Sequence, residues 1–193
     1  MKKFMLVEPT IEQKDLALSF IQEFEGKTVN GSGGLDRFLK EGKEYEDWLE
    51  KLKVAKNREV TEEHVPSVTY FLMDESKDYI YGMINIRLAL NERLKKSNGN
   101  IGYCIRPSQR RKGYNKINLY LGLKVCDLYK IDKVMLDCDI DNEASRKTII
   151  ALGGVKEREM YNDEFKCIVE AYWINVKESI EMNSHLYESY VLG

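Results

Sequence analysis

The sequence predicts a mixed α/β (α+β) fold, a mostly antiparallel central sheet of about six or seven strands flanked by about four helices. Three observations carry this. Short runs rich in Val, Ile, Tyr and Phe recur at 4–7, 65–73, 79–90, 101–106, 133–140, 155–161 and 165–175. Apolar stripes at helical spacing occupy much of the chain between them. Two neighbouring pairs of β-runs are joined by short polar turns, at DESKD (74–78) and around Asn162-Asp163, which suits antiparallel hairpins.

The elements follow in order. Phe4–Val7 is a first strand. Thr10, with Gln13 three residues on, makes a capping box for a helix reaching to Phe24, whose apolar face is Leu16, Phe20, Ile21 and Phe24. GKTVNGSGGL (26–35) reads as a loop, and 38–56 as one helical region bearing Tyr45, Trp48 and Leu49, residues expected in the core. After the first hairpin, NERLKKSNGN (91–100) is a polar connection. The helix over 112–129 carries a stripe of Ile117, Leu121, Val125 and Leu128. In the strand 133–140, Val134, Leu136, Cys138 and Ile140 share one face, and Met135, Asp137 and Asp139 the other. Asp141 or Asn142 caps the next helix, which stops at Gly153-Gly154. Residues 1–177 therefore read as one domain and 178–193 as a polar tail, with no internal repeat.

Composition narrows the function. The chain is 43% hydrophobic and 32% charged with a net charge of −2, which argues against a general nucleic-acid or membrane-surface binder. No apolar run approaches the roughly 20 residues that span a bilayer. The opening apolar run ends at Glu8-Pro9, too short for a signal-peptide core, so the expected location is cytoplasmic. The cysteines (104, 126, 138 and 167) form no CxxC pair, and the only histidines are His64 and His185, so no metal site is expected. The last β-segment, KCIVEAYWINV, is apolar enough either to pair across a homodimer or to be buried in the chain's own core.

The most informative stretch is IGYCIRPSQRRKGYNK (101–116), where a strand gives way to a helix through a cluster of cations and a glycine. A helix N-terminus presents unpaired backbone N–H groups and about half a positive charge. A phosphate seated there satisfies several donors together. Gly113 lets the backbone approach closely, and Arg110, Arg111 and Lys112 add charge-assisted bonds. A solvated basic turn would use the same residues.

Residues 110–115 resemble the Q/R-x-x-G-x-G/A signature of the GNAT acyltransferase superfamily, matching it at Arg110 and Gly113. DNEASRKTIIALGG (141–154) looks like its N-x-A-S-x(7)-G element, with Asn142, Ala144, Ser145 and Gly153 in place. The resemblance covers residues 79–175 well and the first strand and helix loosely. It implies a GNAT-like sheet and an N-acetyltransferase that uses acetyl-CoA as co-substrate. By the same resemblance, Cys104, Ile105 and Arg106 would pair with the pantetheine arm. Residues 111–116, including Tyr114, Asn115 and Lys116, would cradle the pyrophosphate. Asn142 would contact the cofactor near its thiol, and Ser145 would either bond it or occupy the first helical turn. Two departures stand out. Asn115 replaces glycine or alanine, and Ile149 stands where many members carry a proton-donating tyrosine, leaving Tyr120, Tyr161 or water as donors.

Transfer to an amine also needs a base. Asp139, near the end of its strand, and Glu92, after the preceding hairpin, are the candidates, with Asp137 as a partner that could raise the pKa of Asp139. Arg87 would orient an acidic substrate or pair with a carboxylate. Glu25, Asp36 and Glu44, around the 26–35 loop, would meet a cationic amine. The expected acceptor is a small-molecule amine. A catalytically silent acyl-CoA-binding module of the same fold is the alternative.

Overall fold

The computed structural model describes residues 2–162 and 166–192. Asp163, in the expected second turn, and Phe165, the expected start of the last strand, lie outside the described residues. Strand β1 (Phe4–Val7) leads through a 3-10 turn into α1 (Lys14–Gln22), then α2 (Leu35–Lys40) and α3 (Tyr45–Lys56). Strands β2 (Ser67–Asp74) and β3 (Ile80–Arg87) follow, then α4 (Glu92–Lys96), β4 (Ile101–Ile105), α5 (Tyr114–Leu128) and β5 (Lys133–Asp139). The chain closes with α6 (Glu143–Ala151), β6 (Val155–Asn162), β7 (Cys167–Asn175) and α7 (Val176–Tyr187).

All ladders are antiparallel, but the strands fall into two sheets, β1-β2-β3-β4 and β5-β7-β6. They meet at one place. The Asn100 N–H donates to the Met135 carbonyl at 2.7 Å, and the Met135 N–H donates to Asn100 Oδ1 at 2.9 Å. Gly99 makes this approach possible, because a Cβ there would stand 2.3 Å from the Met135 carbonyl oxygen. Beyond this junction β4 and β5 share no ladder, and a wedge opens between them.

Helices cover the first sheet on both faces. Phe20, Trp48, Tyr45 and Leu35 from α1–α3 pack with Phe71, Met73 and Met83 on one side. Leu119, Tyr120, Leu123 and Cys126 of α5 pack with Ile84, Ile86, Leu136 and Ile174 on the other, joining the two sheets through one core. The segment expected as a polar tail largely forms α7. Asn175 caps it, accepting from the Glu178 N–H, and Val176, Ser179 and Asn183 are buried. Its surroundings are polar but satisfied: Ser179 Oγ donates to the Leu152 carbonyl at 2.6 Å.

Other departures from the sequence reading have local causes. The region 38–56 is two helices, broken at Gly42, which adopts φ +73°. The 91–100 connection contains α4 because Asn91 Oδ1 accepts from the Leu94 N–H and caps it. In α5 the expected stripe fails at Leu128, which is 78% exposed; Leu119, Leu123 and Cys126 face the core instead. Strand β7 is paired on both sides, with β5 and with β6, so its backbone is satisfied within one chain. Among the described residues, no helix is long and apolar enough to cross a membrane.

Candidate active site

A cavity of about 500 Å³ opens where the wedge meets the turn before α5. Its walls come from three places: the 27–30 loop, the end of β4 with the following turn, and the first turn of α6.

The turn is shaped for an anion. Arg111 and Gly113 both take left-handed backbone angles, φ +63° and +82°, and Gly113 is the N-cap of α5. Among the described residues, none accepts from the backbone N–H groups of residues 111–115. Successive N–H groups in such an alternating backbone, at the positive end of a 15-residue helix, form an anion-binding nest. A Cβ on Gly113 would meet nothing within 4 Å, so the space in front of the turn is open. Arg110, Arg111 and Lys116 line the cavity. Arg110 is steered by its Nε–H bond to the Ile105 carbonyl and lies 5.6 Å from the Phe24 ring. Lys112, by contrast, points away and donates to Gln109. Tyr114 lines the cavity while its ring packs on Phe4 and Tyr81.

Asn115 turns its side chain to α6, where Nδ2 approaches Thr148 Oγ1 at 3.4 Å. Its Oδ1 is buried without a protein partner, and the residue lines the cavity. A buried orphan acceptor beside an open nest suits a ligand that brings N–H or O–H groups as well as phosphates, as pantetheine diphosphates do.

In the wedge, Cys104 and Ile105 line the cavity but Arg106 does not. Arg106 is 3% exposed and turned inward. It donates to the Ile80 carbonyl and to Glu23 Oε1, both at 2.8 Å, and its guanidinium lies 4.2 Å from the Tyr79 ring centroid. Its backbone N–H is already held by the Tyr81 carbonyl. The expectation that Arg106 contacts the cofactor is therefore corrected: strand β4 ends at Ile105, and the next side chain alternates into the core. Asn142 caps α6, accepting from the Ser145 N–H, and both residues line the cavity. The Ser145 hydroxyl meets the Tyr103 phenol at 2.8 Å across the wedge. Burial pushes the Cys104 thiol up to about 12, so at neutral pH it is an un-ionised, poor nucleophile.

The carboxylates expected near the chemistry lie apart from the cavity lining. Asp139 Oδ1 accepts from the Asp141 N–H at 3.0 Å, closing the turn that delivers Asn142. Asp137 accepts from Asn98 N–H and Ser97 Oγ, and Arg87 donates to the Asn98 and Gly99 carbonyls, so both hold the β4–β5 junction. Glu92 is exposed on α4 and paired with Lys95 at 2.7 Å. Asp36 is buried, accepting from Val29 N–H and Ser32 Oγ, and fixes the loop rather than facing it outward. Glu44 caps α3, while Glu25 stays on the surface. Tyr120 donates to Glu188, Tyr161 is exposed and Ile149 is fully buried, so none of the three lines the cavity.

The loop residues Lys27, Thr28 and Asn30, together with Tyr103 and Thr148, line the cavity without having been singled out in the sequence. The signal for the loop was its glycines. A Cβ on Gly31 would lie 2.5 Å from the Gly102 oxygen and Tyr103 Cα, so only glycine lets the loop rest on β4.

The acetyltransferase (GNAT) domain profile matches residues 7–155. The chain belongs to the GNAT acetyltransferase family. Its activity is accordingly acetyl-CoA-dependent N-acetyl transfer. The fold is shared with Mycobacterium smegmatis RimJ, solved with CoA-disulfide, at a TM-score of 0.69 and 13% identity over 95% of this chain and 91% of that one. A spermidine N-acetyltransferase SpeG chimera from Vibrio cholerae and hSSAT aligns with a TM-score of 0.63 and 12% identity over 93% and 99%. The microcin C7 self-immunity acetyltransferase MccE, solved with acetyl-CoA and AMP, gives 0.63 and 16% over 90% and 92%. Comparison with curated protein sequences gives no match. At these identities the solved structures speak to the fold of this GNAT chain, in which the β4–β5 wedge opens onto the cavity.

Proposed function

We propose that the protein moves the acetyl group of acetyl-CoA directly to the primary amine of a small molecule, in the cavity between β4, α5 and α6. The observation that carries this reading is the run of unpartnered N–H groups at 111–115 opening onto the same cavity as the β4–β5 wedge. The diphosphate would sit on the turn, held by main-chain donors with Arg110, Arg111 and Lys116 around it. The pantetheine arm would lie along Cys104 and Ile105 toward Asn142.

The lining supports direct transfer. Among the described residues that line the cavity there is no histidine and no carboxylate, and the Cys104 thiol is held un-ionised. A covalent acyl-enzyme would need an activated nucleophile, so attack by the amine itself fits the lining better. The cations Lys27, Arg110, Arg111 and Lys116 in the lining favour a small neutral or anionic amine over a polyamine. The amine's proton then leaves through water, since Asp139 and Glu92 are engaged elsewhere.

Calorimetric titration with acetyl-CoA tests the reading, with Gly113→Glu as the control. The substitution puts a carboxylate on the phosphate nest at φ +82° and should weaken binding by more than tenfold. Thiol release with a panel of amines then identifies acceptors. A folded protein that binds no acetyl-CoA overturns the proposal, and binding without turnover of any amine marks a silent cofactor-binding module.

A further inference from the structure

Ile149 leaves helix α6 without a phenol, yet negative charge developing on sulfur in the wedge needs a donor. Coenzyme A must leave as a thiol or a stabilised thiolate. Among the described residues lining the cavity, the neutral acidic O–H groups are the phenols of Tyr103 and Tyr114. The Tyr114 ring is committed to the Phe4–Tyr81 cluster, with centroids 5.0 and 5.4 Å away. Tyr103 stands three residues beyond the Asn100–Met135 junction and reaches across the wedge from β4 to α6. We propose that the Tyr103 phenol donates a hydrogen bond to the departing coenzyme A thiolate, with Ser145 as the positioning residue that aims its hydroxyl. This rests on the acetyl-CoA reading above.

The support is a chain of fixed groups. Asn142 Oδ1 accepts from the Ser145 N–H at 3.1 Å, which sets the first turn of α6. Ser145, 9% exposed, places its Oγ 2.8 Å from the phenol oxygen. The Ser145 carbonyl lies at 3.5 Å, at the limit of a second contact. The phenol is thus held at the positive end of α6, where developing negative charge on sulfur is favoured. Burial also pushes the Tyr103 pKa up, so at neutral pH the phenol is neutral and can donate a hydrogen bond to negative charge on sulfur.

The step balances. The neutral amine nitrogen forms a bond to the acetyl carbon, the carbon–sulfur bond breaks, and its electron pair goes to sulfur. The thiolate leaves hydrogen-bonded to the Tyr103 phenol, which keeps its proton, and then takes through water the proton shed by the amine nitrogen, giving the thiol.

The test compares wild type with Tyr103→Phe, which keeps the ring and removes the O–H. Calorimetry should find acetyl-CoA affinity within about threefold of wild type, since the ring still fills the wedge. The ultraviolet absorbance of the thiolate in the complex with coenzyme A, followed against pH, should show the bound thiol's pKa rising by about one unit, a tenfold loss of thiolate. With any amine that is turned over, the rate of thiol release should fall roughly a hundredfold. An unchanged thiol pKa with binding intact overturns the proposal and leaves Tyr103 as a plug. Should Tyr103→Phe fail to fold, Ser145→Ala decides, because loss of the aiming hydroxyl must shift the thiol pKa in the same direction by a smaller amount, and no shift overturns the proposal. Failure of wild type to bind coenzyme A is read before any variant, and it would sink the cofactor assignment along with this one.

Discussion

Replacing Arg106 with methionine should damage the fold and spare the cofactor. The guanidinium ties three elements: the start of β3 through the Ile80 carbonyl, α1 through Glu23, and the Tyr79 ring. Glu23 in turn accepts from the Ser108 N–H, so the pair anchors the turn that precedes the phosphate nest. Methionine fills much of the volume but strands the Ile80 carbonyl, at about 1–3 kcal/mol. It also leaves Glu23 without its cation, and for fully buried pairs that loss reaches about 3–5 kcal/mol. The Glu23 side chain is 31% exposed and keeps the Ser108 bond, so only a fraction of that applies. A total near 3 kcal/mol is expected, or a fall of about 1.5 M in the urea midpoint at a slope of about 2 kcal/mol per molar. Acetyl-CoA affinity, measured on the folded variant, should change by less than about threefold because Arg106 does not line the cavity. A tenfold loss of affinity with an unmoved urea midpoint would refute this reasoning and return Arg106 to the cofactor.

Two further outcomes follow from the same geometry. Burial pushes the Asp74 carboxyl up, but hydrogen bonds from Lys2, Ser76 and Tyr81 outweigh it and hold the pKa down at about 2, from 3.8. A depressed carboxylate stabilises above its unfolded pKa, so about 2 kcal/mol should be fully present above pH ~5 and fade between about pH 4 and pH 2. The gap in thermal midpoint between wild type and Asp74→Asn should close over that window, and a gap independent of pH would contradict the assignment. Gly31→Ala should cost about 2–4 kcal/mol in urea denaturation, since its Cβ would meet the β4 backbone and its φ is +77°. Gly26→Ala, at the same φ but with nothing within 4 Å, should cost only about 1–2 kcal/mol, and equal losses would show that strain alone matters.

The fold was legible where local chemistry decides local structure. Alternation placed Val134, Leu136 and Cys138 in the core, and Asn142 announced α6. The turn before α5 stood out in the sequence by its glycine and cations, which a solvated basic turn would share, and the left-handed angle of Arg111 left no mark in its side chain. What escaped was the direction of side chains at element ends. Arg106 sits one residue past β4, where alternation turns it inward, and no pattern in IRPSQR distinguishes a buried arginine from an exposed one. The carboxylates misled for a related reason. Asp36, Asp137 and Asp139 each accept backbone N–H groups in turns, and such bonds depend on loop geometry that sequence spacing does not reveal. Tyr103 was hidden because its partner Ser145 lies 42 residues away.

The two ends of the cavity are built by opposite means, and this divides their roles. At the turn, main-chain donors at 111–115 are left open, so a diphosphate seated there as proposed would supply the missing partners and contribute binding energy whatever the state of the acetyl group. Changes there should act on the affinity for acetyl-CoA equally in ground and transition states, raising KM with little effect on kcat. In the wedge, Asn142, Ser145 and Tyr103 already satisfy one another, so a bound thioester gains little from them until charge appears on sulfur. Groups that respond only to that charge act on kcat. The glycine loop over β4 belongs with the turn by this reasoning, since Lys27, Thr28 and Asn30 line the same cavity as Arg110, Arg111 and Lys116. Acceptor choice then rests with whatever surface faces the mouth of the wedge, and the cations Lys27, Arg110, Arg111 and Lys116 in the lining weigh against strongly cationic amines at that point.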